Sequence, residues 1–390
     1  MHFEKRPINQ RADLINHRVE ALANRVIRAA DRAKARIGLR GRAASYDDEH
    51  YEFAGGAKDE LRRKHYDKSL RLLWKAEAAM PWSSFRDMSE AEHAIGDLAD
   101  KSMTGAERAA RKHINSDAFR ALLDREYTLE EKQAIVAILA AIGHGEAYAW
   151  MVSASLLTEV QSTGARAALT MQVVEEAKHF VVLRELVQAF GVPVPRQTAW
   201  EYLLLEGSLK AHGLNKLFGM NILVETIALS IFGLLVSLPG LEVLQLFHLD
   251  ESRHTALPMN YFKEFPLAGR DRRSVSGRMA RVALTLPTLP LIMYLEPALS
   301  QLGIDAFDFA GSVMRKISVL SERSGFLDTE TMGKQIRLFN SIFNAYCKAT
   351  RTSHHWKDFM SADTTRGVAV EAVEREIFGS SPSNPKASPN

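Results

Sequence analysis

The chain carries two copies of the motif Glu-x-x-His, and each copy follows a lone glutamate in a preceding apolar stretch. The first copy, Glu176-Ala177-Lys178-His179, follows Glu146, and the second copy, Glu251-Ser252-Arg253-His254, follows Glu225. Residues three apart lie on one face of an α-helix, so each motif presents a carboxylate and an imidazole together. The repeated order predicts two helical hairpins with acidic and imidazole side chains on their facing sides.

Each hairpin is centred on a turn signal. The midpoint between 146 and 176 lies beside Ser162-Thr163-Gly164, and the midpoint between 225 and 251 lies inside Ser237-Leu238-Pro239-Gly240. Residues equally distant from the turn of an antiparallel helix pair lie at the same height. We therefore expect six side chains to meet at one level and bind metal: Glu146, Glu176, His179, Glu225, Glu251 and His254.

Composition limits which residue types can bind a metal and where in the cell the protein is expected. The single cysteine, Cys347, excludes a disulfide framework and a thiolate metal site, which leaves carboxylates and imidazoles as ligands. Residues 1–42 hold a basic stretch and no apolar signal-peptide core, so we expect a cytoplasmic protein. A net charge of +3 is too small to indicate nucleic-acid binding. Residues 217–238 are long and apolar enough to span a membrane, but Glu225 within them favours a buried helix.

The pattern predicts an all-α protein, because strand alternation and Gly-rich phosphate loops are both missing from the sequence. A capping box at Thr128-Leu129-Glu130-Glu131 starts the core, which we place at 128–264 with helices near 129–161, 165–190, 214–236 and 240–263. Residues 1–127 are expected to form a helical extension that packs on this core. Residues 265–378 are expected to add further helices, and 379–390 a disordered tail.

Two further acids and one histidine lie next to the motifs. A metal-bound histidine needs a partner for its outer ring nitrogen, usually a carboxylate. Asp250 and Glu175 are spaced for that role, and we expect Asp250 to pair with His179 and Glu175 with His254 across the helices; the alternative is that both are ordinary surface acids. His248 would become a further ligand only if its helix bulges, and otherwise has an outer or surface role.

These motifs resemble the ligand sets of the ferritin-like di-iron oxygenases and oxidases, which are four-helix bundles. That superfamily includes acyl-carrier-protein desaturases, bacterial multicomponent monooxygenase hydroxylases, arylamine N-oxygenases and ribonucleotide reductase small subunits. The resemblance covers about residues 128–261. It implies two iron ions, with manganese as an alternative in one or both positions, and dioxygen as a co-substrate. It also implies a small organic substrate, free or bound to a carrier protein, and an electron-donor protein, and leaves a homodimer open.

Departures from the families bear on the reaction. Leu183 stands where the reductase subunits carry a radical tyrosine, and Leu229 stands where the hydroxylases carry a threonine. Phe247 occupies the position of an additional histidine in the arylamine N-oxygenases. The resemblance therefore implies dioxygen-dependent hydroxylation, N-oxygenation or desaturation without choosing among them, and a ferroxidase, an iron-handling protein or a ligand-binding oxidase remains the alternative.

Side chains one or two turns from the ligands are expected to line the substrate pocket. They are Trp150, Ser153, Leu183, Leu229 and Phe232. Because this set is mostly apolar, it indicates an apolar or aromatic substrate.

A third Glu-x-x-His, Glu90-Ala91-Glu92-His93, lies in a polar run without an apolar flank, and we interpret it as a chance match in a solvated helix start. We expect the His93→Ala protein to keep its metal and its activity, because no second motif mirrors this one across a turn. Metal analysis of the purified variant checks this, and loss of metal on that change alone would show that the wrong motif was chosen.

Overall fold

The computed structural model describes residues 10–36, 116–160, 163–265 and 274–326, together with residue 8 and isolated positions between 334 and 349. Every regular element in these ranges is helical, so the expected all-α class is confirmed for them. The helices are α1 (Gln10–Arg36), α2 (Asp117–Glu126), α3 (Leu129–Leu156), α4 (Thr163–Ala189), α5 (Ala199–Lys210), α6 (Leu214–Leu217), α7 (Glu225–Leu235), α8 (Leu244–Glu264), α9 (Val275–Thr285), α10 (Thr288–Tyr294), α11 (Glu296–Gln301) and α12 (Ala306–Arg323). The chance motif at Glu90–His93 and the tail 379–390 lie outside the described residues.

The first hairpin is formed by α3 and α4, which pack along each other. The capping box at the start of α3 is present, because the Thr128 hydroxyl accepts from the Glu131 amide at 3.3 Å and Glu131 accepts from the Thr128 amide at 2.8 Å. Helix α3 is apolar on most sides and carries Glu146 in its buried interior part. Helix α4 returns with Glu176 and His179.

The second hairpin is formed by a long helix, Leu214–Leu235, and by α8. The long helix consists of α6, a π-helical segment Phe218–Val224, and α7, which begins at Glu225. A π-turn is rare in proteins and often marks a functional site, and this one was not predicted from the sequence. Helix α8 contacts α4, and α7 contacts α3, so the two hairpins pack together.

The outer helices complete one contiguous hydrophobic core. Helix α5 packs on α3, and its capping box is Thr198 with Glu201. Helix α1 docks on α5 and α10, where Glu20 accepts from the Ala199 amide at 2.6 Å and Asn16 donates to the Met293 carbonyl at 3.1 Å.

Two helices are long and apolar enough to cross a membrane, Leu129–Leu156 and Leu214–Leu235. Of their apolar windows, 78% and 89% are buried inside the protein, as in the core helices of soluble proteins. This observation is weak evidence for membrane insertion, and the described fold is compatible with a soluble protein.

Candidate metal centre

The six predicted ligands come together in the interior, between the two hairpins. They form two overlapping groups, and within each group one ligand atom per residue lies within 4.8 Å of the others. The first group is Glu146, Glu176, His179 and Glu251, and the second is Glu176, Glu225, Glu251 and His254. All six side chains are buried. Because Glu176 and Glu251 belong to both groups, the arrangement offers two adjacent cation positions that share two carboxylates.

Both imidazoles point the same ring nitrogen into the centre. The Nδ1 atom of His179 lies 3.0 Å from Glu251 Oε1 and 3.5 Å from Glu146 Oε2. The Nδ1 atom of His254 lies 3.0 Å from Glu251 Oε2 and 3.2 Å from Glu176 Oε1. In a neutral imidazole whose Nε2 carries the proton, Nδ1 offers a lone pair to a metal ion.

The outer nitrogens have the partners that the sequence predicts. His179 Nε2 lies 3.0 Å from Asp250 Oδ2, and His254 Nε2 lies 2.9 Å from Glu175 Oε2. Arg253 joins the two acids, because its guanidinium donates to Glu175 Oε1 at 2.8 Å and also to Asp250. A carboxylate that accepts from Nε2 fixes the imidazole tautomer with its free lone pair inward.

Several atoms in the centre have no hydrogen-bond partner among the described residues. These buried atoms are both carboxylate oxygens of Glu146, one oxygen each of Glu176 and Glu251, and His179 Nδ1. A buried polar atom without a partner costs about 1–3 kcal/mol. His179 Nδ1 and Glu251 Oε1 lie 3.0 Å apart without a hydrogen bond between them, an arrangement that suits two atoms facing a common cation.

The pKa values of the four inner glutamates are raised, whereas those of the two outer acids are lowered. Burial raises the pKa values of Glu176, Glu225 and Glu251 to about 7 and also raises the pKa of Glu146. Burial would also raise the pKa of Asp250, but the hydrogen bond and charge of His179, together with the charges of Arg253 and Lys178, outweigh burial and lower that pKa to about 2. The pKa of Glu175 is likewise lowered, because His254 and Arg253 together outweigh its burial. The inner carboxylates therefore need protons or cations to coexist, whereas the outer ones are stably ionised.

Two further histidines on the core helices, His248 and His144, belong to neither group. His248 is buried, and its Nδ1 lies 3.1 Å from the Leu229 carbonyl oxygen. Helix α8 is α-helical throughout Leu244–Glu264, so the bulge that would make His248 a ligand is not there. His144 points away from the centre, as its position on the helix predicts, and lies 3.5 Å from Glu201.

A cavity borders the centre on the side of Glu146 and Glu225, and none of the five predicted pocket residues lines it. Its walls are Ala141, Ile142, Gly145, Glu146, Ala149, Glu201, Leu204, Leu205, Val224, Glu225, Ile227, Ala228, Ile231, Leu291 and Leu295. Trp150 is instead 39% exposed, and Ser153, Leu183, Leu229 and Phe232 are fully buried. The spacing of a residue from a ligand predicts its distance along the helix. The helix face that borders the cavity depends on where α5 and α10 pack, and these two helices were not predicted from the sequence.

An amide network that was not predicted from the sequence contacts the centre. Gln172 Nε2 donates to Glu225 Oε1 at 2.8 Å and to Glu176 Oε1 at 3.1 Å, and Asn221 donates to Gln172 Oε1 at 3.0 Å. A signal existed, because each amide stands four residues before a ligand glutamate and therefore on the same helix face.

Comparisons with known proteins found no match to the chain among protein-family models, curated proteins or solved structures.

We expect the protein to bind two divalent cations per chain and the Glu176→Ala protein to lose at least one of them, because both groups share that carboxylate. Metal analysis after reconstitution with ferrous iron measures this. Glu130→Ala, on the exposed start of α3, is the matched control and should keep both metals. Retention of two tightly bound metals by Glu176→Ala would contradict the shared-ligand arrangement.

We expect Asp250→Asn to keep the fold and to lower metal affinity by roughly 10- to 100-fold, because the nearly isosteric amide removes the charged partner of His179. Competition with a chromophoric chelator measures the affinity. Asp117→Asn, whose side chain is fully exposed, controls for the loss of one negative charge. Equal affinities in Asp250→Asn and the wild type would show that this acid has no effect on the centre.

Proposed function

We propose that this protein is a ferritin-like di-iron enzyme that uses dioxygen to oxidise an apolar or aromatic organic substrate. The observation that carries the proposal is the sharing of Glu176 and Glu251 between the two buried groups. Each group adds one glutamate and one histidine of its own, so the two cation positions have the same ligand types. This is the ligand set of the di-metal carboxylate bundles.

The donor atoms fit two divalent ions of the first transition series. Carboxylate oxygens and imidazole nitrogens suit iron or manganese, and the described centre contains no thiolate. Four glutamates bring four negative charges when ionised, and two divalent cations balance them. The unpartnered oxygens of Glu146, Glu176 and Glu251 would become ligand atoms, which removes the cost of burying them bare.

The protein's own groups hold and orient this centre. Bound ferrous ions would supply the electrons that dioxygen accepts. Asp250 and Glu175 keep both imidazoles in one tautomer, and Arg253 ties these two acids together. Phe247 stacks on the His179 ring at 4.3 Å between centroids, and Phe232 meets the same ring edge-on at 6.4 Å. The two phenyl rings exclude water from this side of the centre.

The cavity beside Glu146 and Glu225 supports an organic substrate. Apart from these two ligands, its only ionisable wall residue among those described is Glu201, and the remaining walls are aliphatic or glycine. The volume of about 40 Å³ has room for a few water-sized molecules, so it fits a small apolar molecule or the reacting part of a larger one. An iron store has no need of an apolar cavity at its metal ligands.

We expect the protein, loaded anaerobically with ferrous iron and supplied with a chemical reductant, to oxidise a probe compound with dioxygen. Toluene, aniline and a long-chain acyl thioester test hydroxylation, N-oxygenation and desaturation, respectively. Mass spectrometry with labelled dioxygen identifies an inserted oxygen atom. Iron oxidation without any substrate product would favour the ferroxidase alternative, and failure to bind two irons would contradict the proposal.

The Gly145→Leu variant tests the cavity within the same experiment. A side chain at Gly145 enters open space, because nothing lies within 4 Å of the added Cβ atom. We expect this variant to retain its metals and to lose at least 10-fold in product formation. Leu203→Phe adds bulk to the 41% exposed face of α5 and should have no effect. Unchanged product formation in Gly145→Leu would show that the substrate binds elsewhere.

A further inference from the structure

Gln172 donates to two carboxylate oxygens of the centre, and both lie on the side of His254. We call this side the second half of the centre, and the side of Glu146 and His179 the first half. Its amide nitrogen donates to Glu225, a ligand of the second group alone, and to Glu176, which both groups share. The oxygen it contacts on Glu176 is Oε1, which faces His254 at 3.2 Å. One amide group therefore holds an oxygen of two ligand carboxylates on the His254 side.

Asn221 fixes the direction of that amide. Its nitrogen donates to Gln172 Oε1 at 3.0 Å and to the His254 carbonyl at 3.0 Å. Both of these oxygens can only accept, so the Asn221 amide has one consistent orientation, and Gln172 must then turn its N–H groups toward the carboxylates. Gln172 and Asn221 are both buried, at 2% and 0% exposure, so water does not compete for these bonds.

Apolar residues occupy the positions that correspond to Gln172 and Asn221 in the first half of the centre. Gln172 stands four residues before Glu176, and Phe247 stands four residues before Glu251. Asn221 likewise stands four residues before Glu225, and Ile142 four before Glu146. Phe247 stacks on His179 and Ile142 lines the cavity, so the first half offers its carboxylates no amide at these positions.

We infer that Gln172, held by Asn221, is a positioning residue that makes the two metal positions unequal. The inference rests on the two-metal centre of the proposed function. Glu225 Oε1 and Glu176 Oε1 each accept an N–H group, which holds these carboxylates in one orientation around the His254 position. Glu146 has both oxygens without hydrogen bonds, so it is free to change its binding mode beside the cavity. The His254 side is the rigid position and the Glu146 side the adaptable one.

Anaerobic titration of the metal-free protein with cobalt(II), followed by calorimetry and visible absorption, tests the inference without turnover. The wild type should bind two equivalents in two resolved steps. Gln172→Met keeps the side-chain volume and removes the donor, and it should weaken one step by roughly 10- to 100-fold and leave the other within about 2-fold. Asn221→Leu should weaken the same step, and the double variant should fall no further than Gln172→Met alone, because Asn221 acts through Gln172.

Phe247→Leu is the matched variant in the first half, because Phe247 stacks on His179. It should weaken the binding step that Gln172→Met leaves unchanged. If the wild type binds fewer than two cobalt ions, the two-metal function fails. If the wild type binds two and Gln172→Met shows two unchanged or strengthened steps, or an equal loss in both, only the role of Gln172 is overturned. Should circular dichroism show that Gln172→Met does not fold, Asn221→Ser, which leaves Gln172 in place, decides by the same criterion.

Discussion

Four glutamate carboxylates meet in the interior of a helical protein, where an ionised carboxylate without a partner is costly. Four of them at one level impose a charge that apolar packing cannot neutralise. The pKa values near 7 of Glu176, Glu225 and Glu251 express this conflict in the metal-free chain. The two divalent cations that we propose would resolve it, and the surrounding elements are arranged to hold the candidate ligands in place: two long apolar hairpins, outer acids on both imidazoles, and an arginine that joins those acids.

The clustering of the six side chains could be predicted from the sequence because the constraints on it are local and periodic. The spacing of Glu176 and His179 fixes a helix face, and the mirrored distances to Glu146 and across the second turn fix the height. Hydrogen-bond chemistry then predicted the pairs His179–Asp250 and His254–Glu175, since a bound imidazole requires a partner. None of these inferences needs knowledge of how distant segments pack.

The features that were missed depend on such packing. The cavity lies where α5 and α10 leave space beside Glu146, and neither helix was predicted from the sequence, although Thr198 and Glu201 form a capping box at the start of α5. Trp150, which was predicted to line a pocket, is not among the residues that line this cavity. Gln172 was overlooked because a glutamine on a helix face carries no metal-ligand signal by itself.

The π-helical segment Phe218–Val224 has a consequence for how the two helices of the second hairpin are joined. A π-turn accommodates one residue more than an α-turn within an otherwise continuous helix. Here the Glu225 amide donates to the Met220 carbonyl, five residues earlier, so Asn221 lies inside the wider turn and Glu225 at the start of the α-helix that follows. Asn221 also donates to the His254 carbonyl of α8. A side chain from the irregular turn of one helix therefore binds the backbone of the neighbouring helix, next to a residue of the candidate centre.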